Sequence, residues 1–476
     1  MAIVLQFKQG DSGTTLSLNS ASAGFSLAGW SPSVATPVHM GDPAPIGESI
    51  HLRLKQANQN TLATSMQSLH EMQVLADRYI NDPTQETPVW LHAKMANETG
   101  ERRALVYSIS VQYKSSWFGP EATAEDIPLV LNVVRGPYWE NTTARNLPDA
   151  APSAAACVVY DYTAAGDAVG AHDIVGDAGA RLRFLELINA SKDLNTFWMG
   201  IRSADKHGAT GVTNFAPVWE LEDGTNQTDA ADVEDAWASD GYNVTVTESG
   251  VDWDDGSFHD VCGTSVSIAA SGNEADQMGN FLWLLRGHAT GDDVWEVRLV
   301  FFLGRTDNII YKDIIEISNS DWLYHEMAIS PISLYNFQTI LDADYDTDNI
   351  GDTFVMIEAR RTTDSAGTLK LDCLCLIPVD EGFCKITTPG FALTVSDMFG
   401  QSPKGEVEVL RRDYTDDAVL GWGTIDSIEN FILPPGDGRI FCVYSGNPDV
   451  LADTMTFNDG DTGKYYERWL SLRGSE

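Results

Sequence analysis

The chain has 476 residues, enough for about two to four domains, each with its own core. Thirty Lys and Arg against 69 Asp and Glu leave a formal charge of −39. That field repels phosphate backbones and anionic lipid, so no nucleic-acid partner is expected. The hydrophobic share of 43% places the acidity on the surface of a folded protein.

The opening "MAIVLQFKQGDSG" lacks a basic stretch followed by a long apolar run, so no signal peptide is expected. "FLWLLRG" from Phe281 and "VRLVFFLG" from Val297 are too short to cross a bilayer as helices, and no membrane insertion is expected. Six cysteines at 157, 262, 373, 375, 384 and 442 form no Cys-x-x-Cys pair. They read as mostly buried free thiols made in a reducing cytoplasm, with Cys373 and Cys375 on one face of one strand.

In chain order, "AIVLQFKQG" is strand-like and is followed by a Gly/Ser/Asn-rich stretch of short strands and turns. "ESIHLRLK" from Glu48 alternates Ile50, Leu52 and Leu54. Leu62, Met66, Leu69, Met72, Ala76 and Tyr79 then recur at helical spacing, which predicts one amphipathic helix over about 60–81. Strands follow in "PVWLHAKM", in "RRALVYSISVQY" across the turn "NETGE", and in "DIPLVLNVV" before "RGPYWE". Residues 1–148 therefore read as a β-rich module with one packed helix, ended by the linker "NTTARNLPDAAPSAAA".

From Cys157 the pattern is β throughout, with turn signals at the intervals of an all-β sandwich. The order "GNFLWLLRGHATGDDVWEVRLVFFLG", "DWLYHEMAISPISL", "DTFVMIEARRTTDSAGTLKLDCLCLIPVDEGF" resembles jelly-roll domains of the carbohydrate-binding-module type. Leu371, Asp372, Leu376 and Pro378 occupy that family's closing-strand pattern. The resemblance implies a central jelly-roll β-sandwich over 149–382, and it leaves open whether that region is one domain or two. It also implies that a structural cation is common in such folds.

Residues 383–476 form a C-terminal β segment ending in "YYERWLSLRGSE". Together "GESIHLRLKQANQNTLATSMQSLHEMQVLADRY", "PVWLHAK", "RGPYWE", "LPPGDGRI" and this last strand resemble bacteriophage and prophage tail proteins of the minor-tail or distal-tail kind. Such proteins carry a ring-forming β module with one helix and often an appended sandwich. The last strand has rings on both faces, so it is expected to be buried on both, against its own chain or a neighbouring subunit. The second case makes Tyr465, Tyr466, Arg468, Trp469 and Leu470 an assembly strand.

Candidate chemistry is sparse. Asp342, Asp344, Asp346 and Asp348 in "LDADYDTDNIGD" offer hard oxygen ligands for Ca²⁺, although Thr347 and Thr353 stand where an EF-hand needs Gly and Glu; a solvated acidic loop is the other reading. Glu220, Glu222 and Asp223 could be offered as glycosidase carboxylates, but nearness in sequence sets no such geometry. His259 and His288 stand without metal-ligand spacing; "GDTGK", "GWGTID" and the absence of a Gly-x-Ser-x-Gly elbow complete an inventory with no catalytic set. Trp198, Trp219, Trp253, Trp283, Trp295 and Trp322 each read as core before platform, and of the tryptophans in loops Trp237 and Trp253, among acidic neighbours, are the candidates for exposed sugar platforms.

The expectation is a mainly β, multidomain, non-enzymatic virion protein of a phage tail, made in the host cytoplasm. Its expected partners are copies of itself in a ring, other tail proteins and a host-surface glycan, and no cofactor is expected beyond a possible structural Ca²⁺. A free carbohydrate-binding protein or accessory module of a glycan-active enzyme, and a capsid decoration protein, are the alternatives.

Overall fold

The computed structural model describes residues 4–20, 24–34, 44–55, 59–82, 87–95, 100–113, 126–146, 157–161, 174–189, 194–226, 229–235, 238–247, 252–267, 279–290, 293–303, 309–318, 320–332, 352–363, 367–387, 395–401, 407–413, 419–422, 424–429, 433–446, 455–457, 463–470 and 472. Within them the chain is mainly β, with antiparallel sheets and two helices.

Helix Gln59–Asn81 fills the span expected near 60–81. Leu69, Met72, Ala76 and Tyr79 are buried along one stripe, as a 3.6-residue period requires. The stripe covers a β layer whose core includes Phe7, Leu52, Leu91, Leu131 and Trp139. Strand Arg102–Tyr113 serves two partners there. Its first residues pair with Val89–Lys94 and Trp139–Asn141, and the remainder pairs with Asp126–Arg135 after a register shift between Val106 and Ser108. Such a shift bends the strand and lets one long element turn the sheet around the helix.

The sandwich lies farther along the chain. One sheet holds Val218–Glu220, Ala230–Glu234, Tyr242–Val246, Gly279–Ala289, Leu323–Ile332 and Leu369–Pro378. The other holds Thr225–Asn226, His259–Ser267, Trp295–Leu303, Ile309–Tyr311, Ile315–Ile317 and Asp352–Arg361. Trp283 of the first sheet meets Phe301 of the second edge-on at 5.1 Å and Trp219 at 5.2 Å, so inward-facing rings join the layers. Leu371, Asp372, Leu376 and Pro378 lie on the last strand of the sandwich in chain order. Their strand is interior, between Tyr242–Val246 and Gly279–Ala289.

The sandwich is inserted between two strands of another sheet. Val158–Asp161, Leu194–Ser203, Phe383–Thr387, Thr424–Glu429 and Gly438–Gly446 form that five-stranded sheet. The chain leaves for the sandwich after Ser203 and returns at Phe383, which pairs with Gly200. Residues expected to lie on opposite sides of a boundary at 382 thus share one sheet. Pairing between strands so distant leaves no local sequence signal. Phe215 fixes the seat, stacking on Phe281 of the sandwich at 5.1 Å and meeting Phe441 of the five-stranded sheet at 5.2 Å. One core runs through both. All six cysteines are buried and free, and Cys373 and Cys375 share a face with sulfurs 4.0 Å apart.

Candidate functional site

Two of the segments that carry the tail-protein resemblance, "RGPYWE" and the last strand, meet at one buried charge cluster, which Arg103 and Arg181 complete from other strands. Glu140, from "RGPYWE", lies opposite Arg103 on one neighbouring strand and Arg468 of the last strand on the other. Alternation puts Tyr466 on the same face as Arg468, and Arg181 is its partner in the strand beyond. Arg181 donates Nε to Glu140 Oε2 at 3.0 Å and Nη2 to Oε1 at 2.7 Å, a bidentate pair. Arg103 Nε adds a bond to Oε1 at 3.0 Å, and Arg468 Nε stands 3.7 Å from Oε2. Tyr466 lies beneath both cations, its ring centre 4.6 Å from the Arg103 guanidinium and 4.4 Å from that of Arg181. Burial alone would raise the Glu140 pKa, but Arg181, then Arg103 and Arg468, outweigh it and hold the carboxyl down at about 2.

A second buried pair braces the same module. Glu48, of "GESIHLRLK", takes Arg135 Nε at 2.8 Å and the Trp30 indole at 2.8 Å, while Arg135 covers the Trp139 ring at 4.5 Å.

The last strand is therefore an interior strand of the chain's own sheet, the first of the two arrangements expected for it, and not an assembly strand added to a neighbouring copy. Gly463–Trp469 pairs with Trp139–Asn141 and Arg145–Asn146 along one edge and Ala178–Asn189 along the other. Tyr465, Tyr466 and Arg468 are buried, and Trp469 and Leu470 are half-buried. Arg102 covers Trp469 at 4.4 Å, and the Leu470 amide donates to Asp177 at 2.5 Å. With both edges taken, no backbone donor row remains there for another chain.

Of the ring candidates, Trp253 is fully buried rather than exposed. Its ring packs against Trp295 at 5.7 Å and His259 at 5.5 Å, because the turn that carries it folds inward over the sandwich core. It cannot serve as a sugar platform. Trp237 and the run Asp342, Asp344, Asp346 and Asp348 lie outside the described residues.

Oxygen donors gather elsewhere in the sandwich. Glu220, Glu222 and Asp240 bring carboxylate oxygens within 4.8 Å of one another, and Glu220, Asp372 and Cys373 form an adjoining group. The Ser239 hydroxyl lies 2.6 Å from Glu220 Oε2 and 3.1 Å from Asp372 Oδ1, and Arg286 neutralises Asp372 from the other side. Burial, with the charges of Asp372, Asp240 and Asp223, raises Glu220 to about 7 against the Ser239 bond. Burial and Asp240 raise Glu222 to about 9. Glu222 and Asp240 present acceptor to acceptor, so a proton, or a hard cation, must mediate between them. Both Glu222 oxygens are buried, which leaves no room for a glycosidic bond between the carboxylates. Sequence showed Glu220 and Glu222, but Asp240 and Asp372 join them only through strand pairing.

No protein-family model matches the chain, and no curated protein matches it. Among solved structures, Bacillus thuringiensis insecticidal crystal protein Cry7Ca1 is 9% identical over 79% of this chain, with a TM-score of 0.19. The chain spans 51% of that protein's length. Two chains from structures of the phage P2 baseplate in its activated conformation, with Ca and with Sr, are 10% and 11% identical, with TM-scores of 0.18 and 0.17. Each match covers 78% of this chain and 98% of the baseplate chain. Similarity this low establishes no shared fold. No helix among the described residues is long and apolar enough to cross a membrane.

Proposed function

We propose that the protein is a structural component of a phage-type tail, assembling with copies of itself and with other tail proteins in the virion, and holding its sandwich outward toward host-surface glycans. The observation that supports this reading is the role of the segments resembling tail proteins. "GESIHLRLK", "RGPYWE" and "YYERWLSLRGSE" supply Glu48, Arg135, Glu140, Tyr466 and Arg468, the buried charges and ring that lock the β frame. The sandwich is presented from the five-stranded sheet on paired strands over a continuous core, an arrangement suited to rigid display. A surface charge of −39 suits a particle that must stay dispersed and a lumen that must not grip DNA.

Because the last strand is occupied within the chain, ring contacts must come from other surfaces. Light scattering on the full chain over a concentration series tests the reading, with negative-stain imaging of the same samples. A closed oligomer with rotational symmetry is expected. A monomer at every concentration would overturn the ring and favour a free carbohydrate-binding protein.

A further inference from the structure

The outer face of the second sandwich sheet carries side chains that the buried core does not need. Phe258, Arg360, Arg298 and Tyr311 belong to four successive strands or their immediate ends, since His259–Ser267, Asp352–Arg361, Trp295–Leu303 and Ile309–Tyr311 are neighbours in that order. The Arg298 guanidinium stands 4.1 Å from the Phe258 ring centre and 4.2 Å from that of Tyr311, and Arg360 stands 4.5 Å from Phe258. Along the contacts Arg360–Phe258–Arg298–Tyr311, guanidinium planes and rings alternate in one row. At its Arg360 end opens a cavity of about 450 Å³, lined also by Asp254, Gly256, Arg361, Thr362 and Thr363. At the other end Tyr311 is 52% exposed.

Charge on this face is locally balanced. Arg298 Nε donates to Glu358 at 2.7 Å and Arg360 Nε donates to Glu296 at 2.6 Å. Each cation therefore brings its own carboxylate. A phosphate or sulfate would meet those carboxylates, and a purely apolar partner would have to dehydrate two ion pairs. A ligand made of hydroxyls meets neither obstacle. Each hydroxyl both donates and accepts, the pairs hold donors and acceptors in fixed positions, and the C–H faces of a sugar ring can lie on the Tyr311 ring. Holding these groups in place beforehand lowers the entropic cost of binding.

We propose that this face, from Tyr311 across Arg298 and Phe258 to the cavity beside Arg360 and Thr362, is a binding site for a neutral oligosaccharide. The proposal rests on the sandwich being the displayed part of the protein, and it differs from the sequence expectation in using Tyr311 rather than Trp237 or Trp253.

The test is titration calorimetry of the full chain with neutral oligosaccharides of glucose, mannose, galactose and N-acetylglucosamine, alongside sialylated and sulfated oligosaccharides. Tyr311→Ala, Tyr311→Phe and Tyr242→Ala are measured in parallel, Tyr242 being an exposed ring on the other sheet. At least one neutral series is expected to bind, to weaken about tenfold or more in Tyr311→Ala, and to keep wild-type affinity in the other two variants. The assignment is overturned if no neutral oligosaccharide binds, if only the anionic ones do, or if Tyr311→Ala binds like wild type. A dimer that Tyr311→Ala abolishes would make the face a self-contact and would equally overturn it. These readouts are separate from ring symmetry, so each proposal can fail alone.

Discussion

Arg181 grips Glu140 through two hydrogen bonds, although one residue belongs to strand Ala178–Asn189, beyond the linker, and the other to the module before it. Both are buried, and Arg103 and Arg468 complete a cluster in which three cations surround one carboxylate. Removing that carboxylate leaves the cations without their shared counter-charge. Glu140→Gln is expected to cost about 3–5 kcal/mol, measured by urea unfolding. Lys206→Ala, at an exposed and loosely paired position, is expected to cost less than about 1 kcal/mol. Equal losses in the two variants would contradict the account.

Deleting residue 463 and everything after it takes out an interior strand together with Tyr466 and Arg468. The shortened chain is expected to lose its cooperative melting transition by circular dichroism. A shortened chain that melts like the full one would show that the strand is dispensable.

Opposite pKa shifts are expected to give stability a maximum in mildly acid solution. Glu140 has a folded value of about 2 against 4.5 unfolded, so its contribution is present above pH 4.5 and is lost as pH falls toward 2. Glu220 and Glu222, raised from 4.5 to about 7 and about 9, contribute fully below pH 4.5 and lose that contribution as pH rises through those values. The melting temperature of the wild type is expected to fall between pH 5 and 9, and Glu220→Gln/Glu222→Gln is expected to flatten that fall. Parallel declines in the two proteins would exclude these carboxyls as the cause.

Trp253 distinguishes core from platform. Trp253→Ala is expected to destabilise by about 3–5 kcal/mol, as deletion of a fully buried ring does, and thermal unfolding measures it. A variant of wild-type stability that had lost glycan binding would restore Trp253 as a platform.

Gly200 lies where the backbone of the sandwich approaches its seat tightly. A Cβ there would lie 2.2 Å from the Pro378 carbonyl oxygen and 2.8 Å from Ile377 Cγ2, so the backbone itself must move. Gly200→Ala is expected to cost about 1–3 kcal/mol in urea unfolding, and a neutral result would show that the seat can yield.

The helix was legible because Leu69, Met72, Ala76 and Tyr79 repeat at its own period, and the strands because their alternation is local. The seat of the sandwich was not, since it depends on Leu194–Ser203 pairing with Phe383–Thr387. The arginines around Glu140 look in sequence like any surface charge; only the pairing of three distant strands makes them interior. The acidic company of Trp253 suggested exposure, yet a turn can carry charges on its outside while tucking its ring beneath. Tyr311 gave no signal as part of a row, because its neighbours come from four places in the chain.

The interior place of Gly463–Trp469 also bears on biosynthesis. Asn141 and its partner Glu467 are 326 residues apart, so during translation the Trp139–Asn141 strand waits roughly 15–65 s for its neighbour. Throughout that interval the edge is open to any passing strand, a standing invitation to aggregate. Arg103 and Glu140, still hydrated, keep that edge charged and poorly suited to an apolar intruder. The residues that later become a buried clasp thus act first as guards of the nascent chain.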